Sequence, residues 1–301
     1  MLDRASTFAD PEIIKTLQQD FIPVAIDQFK QRRQKDAEGE FWRKIAGQSP
    51  RNNFNSTTQG LFAASAGGTL LAYNNNRGPD KTKELLRKAL GAASKESGSK
   101  ARPLVVKKPD PRFLHKAPEG MRIARVHAKV LGGQTPTDNF WKKIASHATS
   151  HDTLWITAKE ELAIARDRKI PPSLARRIAL FHLIDNTRGE PSFWDDDGIK
   201  KSEFRIDEKG NLTGKVHLVK KDKSTGYEAD LRGVIKFKGN TLTRFDLVAH
   251  GDYWGESKYT KGAPKGRFPL GVSVRLVDGK SPYDQIPPQG AKSWWQNYLK
   301  E

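Results

Sequence analysis

Tyr227-Glu228-Ala229-Asp230-Leu231-Arg232-Gly233-Val234-Ile235-Lys236-Phe237 alternates along its whole length: the odd positions are Tyr, Ala, Leu, Gly, Ile and Phe, the even ones Glu, Asp, Arg, Val and Lys. Successive side chains of a strand point to opposite faces, so a single apolar register of period two marks a strand of antiparallel sheet buried on one side. Its neighbours extend the pattern. Phe204 and Ile206 precede Glu208-Lys209-Gly210-Asn211, with Leu212, Val216 and Leu218 following, which reads as a hairpin; Lys238-Gly239-Asn240 then turns the chain into an apolar run over 241–249. With residues 269–276 rejoining, the spacing predicts a meander of four or five strands over about 202–276, as a curved sheet or a partial barrel, and a terminal helix near 291–299.

Towards the N-terminus the period lengthens. Residues 121–131 alternate in part and predict a strand, residues 135–148 a helix and residues 153–156 a short strand. Thr157-Ala158-Lys159-Glu160 then has the spacing of a capping box opening the next helix. Pro171-Pro172 breaks that helix, and residues 173–183 form another. Further upstream, residues 93–120 are small and polar and then carry Pro103, Pro109, Pro111 and Pro118, a linker composition. The chain of 301 residues therefore divides into a first domain over 1–92, this linker, and an α+β domain over 121–301.

In the first domain Asp10-Pro11-Glu12 is a helix start, with Ile13, Ile14 and Leu17 as its apolar face. Phe21-Ile22-Pro23-Val24-Ala25-Ile26 is a compact apolar run with the look of a buried central strand, and a longer helix is expected over 30–46. Two short apolar runs around Ala66-Gly67-Gly68 predict a hairpin, and Gly78-Pro79-Asp80 opens a helix with Leu85, Leu86 and Leu90 inward. Phe8-Ala9-Asp10-Pro11-Glu12-Ile13-Ile14, followed by residues 21–27, the glycine hairpin and the closing helix, resembles a thioredoxin-like domain. The fold class implied is α/β followed by α+β: a thioredoxin-like domain, then an antiparallel meander packed with helices. That family's chemistry needs a Cys-x-x-Cys pair, and the chain has no cysteine. The resemblance therefore implies a docking or packing module. Disulfide chemistry returns only if a Cys-x-x-Cys lies upstream of Met1 in a longer precursor. The chain as a whole, and residues 182–194 and 245–271 above all, also resembles uncharacterised bacterial proteins in which a thioredoxin-like part precedes a β-rich part.

The formal net charge is +18, but the excess of Lys and Arg over Asp and Glu is 5, 6 and 7 in residues 1–100, 101–200 and 201–301. An even spread describes a basic solvated surface; contact with nucleic acid or another anionic polymer or surface is an unspecific expectation. No apolar run is long enough to span a membrane and residues 1–10 lack the pattern of a secretory signal, so a soluble protein of the cytoplasm, or a mature secreted or periplasmic one, is expected. No P-loop, nucleophile elbow or zinc-protease motif occurs, and neither a cofactor nor a metal is called for.

Two clusters hold the candidate chemistry. The first runs from His182 through Asp185, Arg188 and Glu190: an imidazole, two carboxylates and a guanidinium, suited either to acid–base work or to tying down a loop. The second, His250, Asp252, Tyr253, Trp254, Glu256 and Tyr259, leaves a strand between glycines, as a ligand rim or a plug of the sheet end would. His217 is expected to be exposed, and Trp42, Trp141 and Trp155 to be core. Trp294 and Trp295, adjacent on the terminal helix, cannot both face inward. The leading expectation is a non-redox binding or scaffold protein with a protein or small-ligand partner. The competing one is a hydrolytic or metal-assisted enzyme joining His182, Asp185, Glu190, His250 and Asp252 in one site, and the third is a binder of anionic polymers.

Overall fold

A computed structural model describes residues 7–76, 78–95, 108, 110, 116–291 and 295–300. The chain divides into two compact units, 3–113 and 114–301. Most of the expected linker lies outside the described residues.

In the N-terminal unit, Asp10 caps α1 (Pro11–Asp20) by accepting from the backbone N–H groups of Glu12 and Ile13, the first-turn donors that lack helical partners. Residues 21–27 carry no strand. Ile22 is 91% and Val24 70% exposed, because no neighbouring strand among the described residues offers the run a ladder and Pro23 has no N–H to give one. The helix expected over 30–46 is two: α2 (Gln28–Gln31), and α3 (Ala37–Ala46), which restarts at Asp36. The hairpin is present as β1 (Leu61–Ala64) paired with β2 (Leu70–Asn74), and α4 (Pro79–Ala93) follows. Ala63 and Ala72 face Ile13, Leu85, Leu86 and Ala89, while Phe62 on the other face meets Trp42 edge-on at 4.8 Å. The two-stranded sheet thus has helices on both faces. Leu90, expected inward, is 37% exposed at the end of that helical stripe.

The C-terminal unit is built on a seven-stranded, wholly antiparallel sheet, curled into a half-barrel. Its strands are β3 (Arg122–Val130), β4 (Asp152–Ile156), β5 (Ile199–Ile206), β6 (Asn211–Val219), β7 (Gly226–Lys238), β8 (Thr241–Trp254) and β9 (Arg267–Val277), in the order β4-β3-β9-β8-β7-β6-β5. The meander is therefore five strands, and the two upstream strands extend it through β9. The register puts Leu218, Tyr227, Tyr253 and Phe268 in one row and Gly214, Leu231, Ala249 and Val272 in another, so one face of the sheet is continuously apolar. Glycine sits on that face where curvature brings strands together. A Cβ on Gly233 or Gly251 would fall 2.1 Å or less from a carbonyl oxygen of the neighbouring strand.

Helices fill the concave side. Thr157 and Glu160 form the capping box of α6 (Ala158–Asp167), as its spacing predicts. The helix expected over 173–183 is α7 (Pro172–Arg177) continued by one π turn, Ile178–His182. Ile164, Leu174 and Ile178 join the sheet's core. The helix expected over 135–148 shrinks to α5 (Phe140–His147), and the terminal one to a single turn, α8 (Trp295–Tyr298). Trp42 and Trp155 are buried; the side chain of Trp141 and all of Trp294 lie outside the described residues. Among the described residues no helix is long and apolar enough to cross a membrane.

Candidate functional site

The first cluster does not converge. The π turn carries His182 into the core, where its Nε2 lies 2.7 Å from the Tyr298 hydroxyl. The Asp152 carboxylate stands 3.2 Å from its Nδ1, close enough for ion pairing but poorly aligned for a hydrogen bond. Asp185 faces elsewhere: it accepts from the Thr187 backbone N–H and hydroxyl and sits 2.6 Å from Arg188 Nη2. Arg188 in turn donates through Nε to the Thr260 carbonyl and lies over the Phe268 ring. Glu190 is at the surface. Asp185 and Arg188 thus pair with each other and tie residues 185–188 to Thr260, while His182 finds its partners elsewhere in the core.

The residues that complete His182 are distant in sequence. Asp152 opens β4 and also accepts from the Gln289 and Thr153 backbone N–H groups, while Tyr298 comes from α8 and is fully buried. Burial raises the Tyr298 hydroxyl well above an ordinary phenol, outweighing the nearby Arg177 charge. Beside them lies a buried ion pair, Arg177 Nη2 to Glu160 at 2.5 Å, with the Ser173 hydroxyl donating to Glu160 at 2.6 Å. Of this group only His182 and the Thr157/Glu160 capping spacing carried a local signal.

The rim residues are sorted by the pleat. Tyr253 points into the core, its hydroxyl raised by burial and then by the Asp185 charge, whereas His250, Asp252 and Trp254 stand on the outer face. The sheet therefore stands between His182 and Asp185 on one side and His250 and Asp252 on the other, and the five-residue joint site is not assembled. Beyond the strand, Glu256 accepts from the Gly262 and Ala263 backbone N–H groups and pairs with Lys261 at 2.8 Å; these contacts, Lys261 first, hold its carboxyl below the usual range and tie the loop. Tyr259, within that loop, is exposed.

No protein-family model, curated protein or solved structure matches this chain.

On the outer face Trp254 lies flat across Gly226 of the paired strand, where a Cβ would come within 2.0 Å of the indole. From the strand on its other side, the Arg267 guanidinium stands over the same ring, its central carbon 4.3 Å from the centroid. Arg267 donates to Glu228 at 2.8 Å, and Glu228 is also 3.3 Å from His217. Arg267 holds the Glu228 carboxyl below its ordinary range and is itself raised by that bond. These side chains, with Lys200 and Lys223, line an open groove. His217, expected merely to be exposed, is one of its walls. Among the described residues no three side chains of ligating type gather in a way that could hold a metal ion.

Proposed function

We propose that this chain is a non-redox binding protein whose ligand surface is the outer-face groove at the Trp254 end of the curled sheet, and that the ligand is an acidic saccharide. One contrast carries the reading: the acid–base side chains His182, Asp152 and Asp185 are sealed in the core, while the groove presents charge and aromatic surface to solvent. Lys200, His217, Lys223 and Arg267 line it with one carboxylate, Glu228, shared between His217 and Arg267, and Asp252 stands 3.9 Å from Arg267 at the edge, so the basic groups are in excess. Arg267, held over Trp254 and by its Nη1 bond to Glu228, is a positioned guanidinium with donors left for a carboxylate or sulfate. The N-terminal unit we read as a thioredoxin-like module kept for docking. The β1–β2 hairpin closed by α4 is what supports that reading, the central strand expected at 21–26 being absent, and the lack of any thiolate removes exchange chemistry.

Calorimetric titration of the full chain with an oligogalacturonate and with its neutral methyl ester tests the groove. Saturable binding of the acid alone is expected, weakening by about tenfold in Arg267→Ala, the loss of one charge-assisted hydrogen bond. Equal binding of acid and ester, or an unchanged affinity in Arg267→Ala, removes the reading. A single-stranded oligonucleotide that outcompetes the saccharide would move the assignment to nucleic acid.

A further inference from the structure

The outer face carries a second groove. It lies at the C-terminal end of β3, between that strand, the loop that follows it and α5, and its lining includes Lys129, Leu131, Gln134, Pro136, Lys143 and His147. None of the lining residues is acidic. Lys129 and His147 are exposed and their side chains have no partner among the described residues, while Lys143 pairs at 3.4 Å with Asp138, a carboxylate standing wholly in solvent. The pleat fixes the side of the sheet on which this groove opens. Val126, Ala128 and Val130 point into the core, so Lys129 points out, opposite Gly271, which pairs in turn with His250. Leu131 lies over the same glycine, where an added Cβ would fall 3.1 Å from its side chain. Both grooves therefore open on one face.

One row of the register joins them. His217, Glu228, Asp252 and Pro269 stand directly opposite one another on β6, β7, β8 and β9, and the Leu131 backbone N–H donates to the Pro269 carbonyl at 2.8 Å. Four strand spacings, about 19 Å, separate His217 from Leu131. The stretch between is electrically balanced, since Asp230 pairs with Lys215 while Glu228 and Asp252 lie by Arg267. Unpaired cations gather instead at the two ends, Lys223 at one and Lys129 with His147 at the other, too far apart for a single sugar and within reach of a chain of them. Given that the Trp254 groove takes an acidic saccharide, the reading on which this rests, we propose that the ligand is a linear acidic polysaccharide lying across the strands, anchored a second time by Lys129 and Lys143. Pro269 and Leu131 give its rings an apolar floor on the way. Two linked contacts multiply, because the second is made at the high local concentration that the first sets up.

Calorimetry of the full chain with digalacturonate and with hexagalacturonate reads the dependence on length. The intact chain is expected to bind the hexamer at least about tenfold more tightly than the dimer, the gain reporting the second contact. Lys129→Ala combined with Lys143→Ala should erase that gain and leave the affinity for the dimer unchanged, whereas Arg267→Ala should weaken the binding of both. Both lysines are exposed, so the double variant should melt where the intact chain does. Equal affinity of the intact chain for the two lengths, or a hexamer held as tightly by the double variant as by the intact chain, overturns the second anchor and leaves the Trp254 groove standing. Binding of neither length removes the groove and the anchor together. If the double variant does not fold, the length dependence of the intact chain decides alone.

Discussion

Glu160→Gln isolates the charge that holds the helical layer to the sheet. The carboxylate is buried, accepts from Arg177, from the Ser173 hydroxyl and, at 3.0 Å, from the Thr157 backbone N–H, and so joins α7 to the start of α6. Glutamine keeps the volume and one acceptor oxygen but leaves the Arg177 cation, 1% exposed, without its counter-charge. An ion left uncompensated in an interior costs about 3–5 kcal/mol. In a unit of this size each kcal/mol lowers the melting midpoint by about 2–4 °C, so a fall of at least about 6 °C is expected. Glu160→Gln combined with Arg177→Met removes the orphan cation and should regain most of that loss, because a buried pair and an apolar replacement are close in stability. Urea unfolding followed by hydrogen exchange of peptides over 152–184 reports this unit alone. A loss under about 1 kcal/mol in the single variant, or a double variant no more stable than the single, would refute the reasoning.

Gly226→Val should expel the Trp254 indole, since the added Cβ would lie 2.0 Å from it; the expected signs are a red-shifted, more quenchable tryptophan emission and loss of groove binding with the melting midpoint of the N-terminal unit unmoved. Arg267→Ala should raise the Glu228 carboxyl towards its ordinary value, readable by NMR titration. Because the folded state depresses that carboxyl, its contribution is full above the unfolded pKa and is lost as pH falls through the folded one, so groove geometry should fail on acidification and not on alkalinisation. Asp10→Ala removes the acceptor of two first-turn N–H groups and the partner of Lys83, and should lower the urea midpoint of the N-terminal unit; no change would mean that α1 is held by packing alone.

The meander was legible because its register is local: Tyr227, Ala229, Leu231 and Ile235 name the buried face without help from the rest of the chain. The same holds for the Asp10 and Thr157 caps, whose partners lie within three residues. Residues 21–26 misled, since apolar runs state a tendency to be extended while burial depends on a neighbouring strand that sequence does not supply. The π turn at residues 178–182 left no mark either; a helical stripe of Leu174, Ile178 and His182 looks the same before one extra residue is slipped into a turn. As for the sites, alternation alone should have divided Tyr253 from Asp252 and Trp254, and it would have dissolved the joint site at once. His182 finding Asp152 and Tyr298 needed the assembled fold, because nothing near any of the three announces the others.

A sheet that curls without closing has two bare margins, and a bare margin is an invitation to foreign strands. Here the two are guarded differently. Along β4 the chain lays down its own cover, with the Thr153 hydroxyl donating to the Ile286 carbonyl and the Gln289 amide to Asp152; along β5, Lys200, Lys201, Glu203 and Arg205 stud the border with charge. The first guard is chain, anchored where the buried Asp284 takes two bonds from Arg125, and the second is charge, so a change that frees 282–289 would bare β4 and leave β5 guarded.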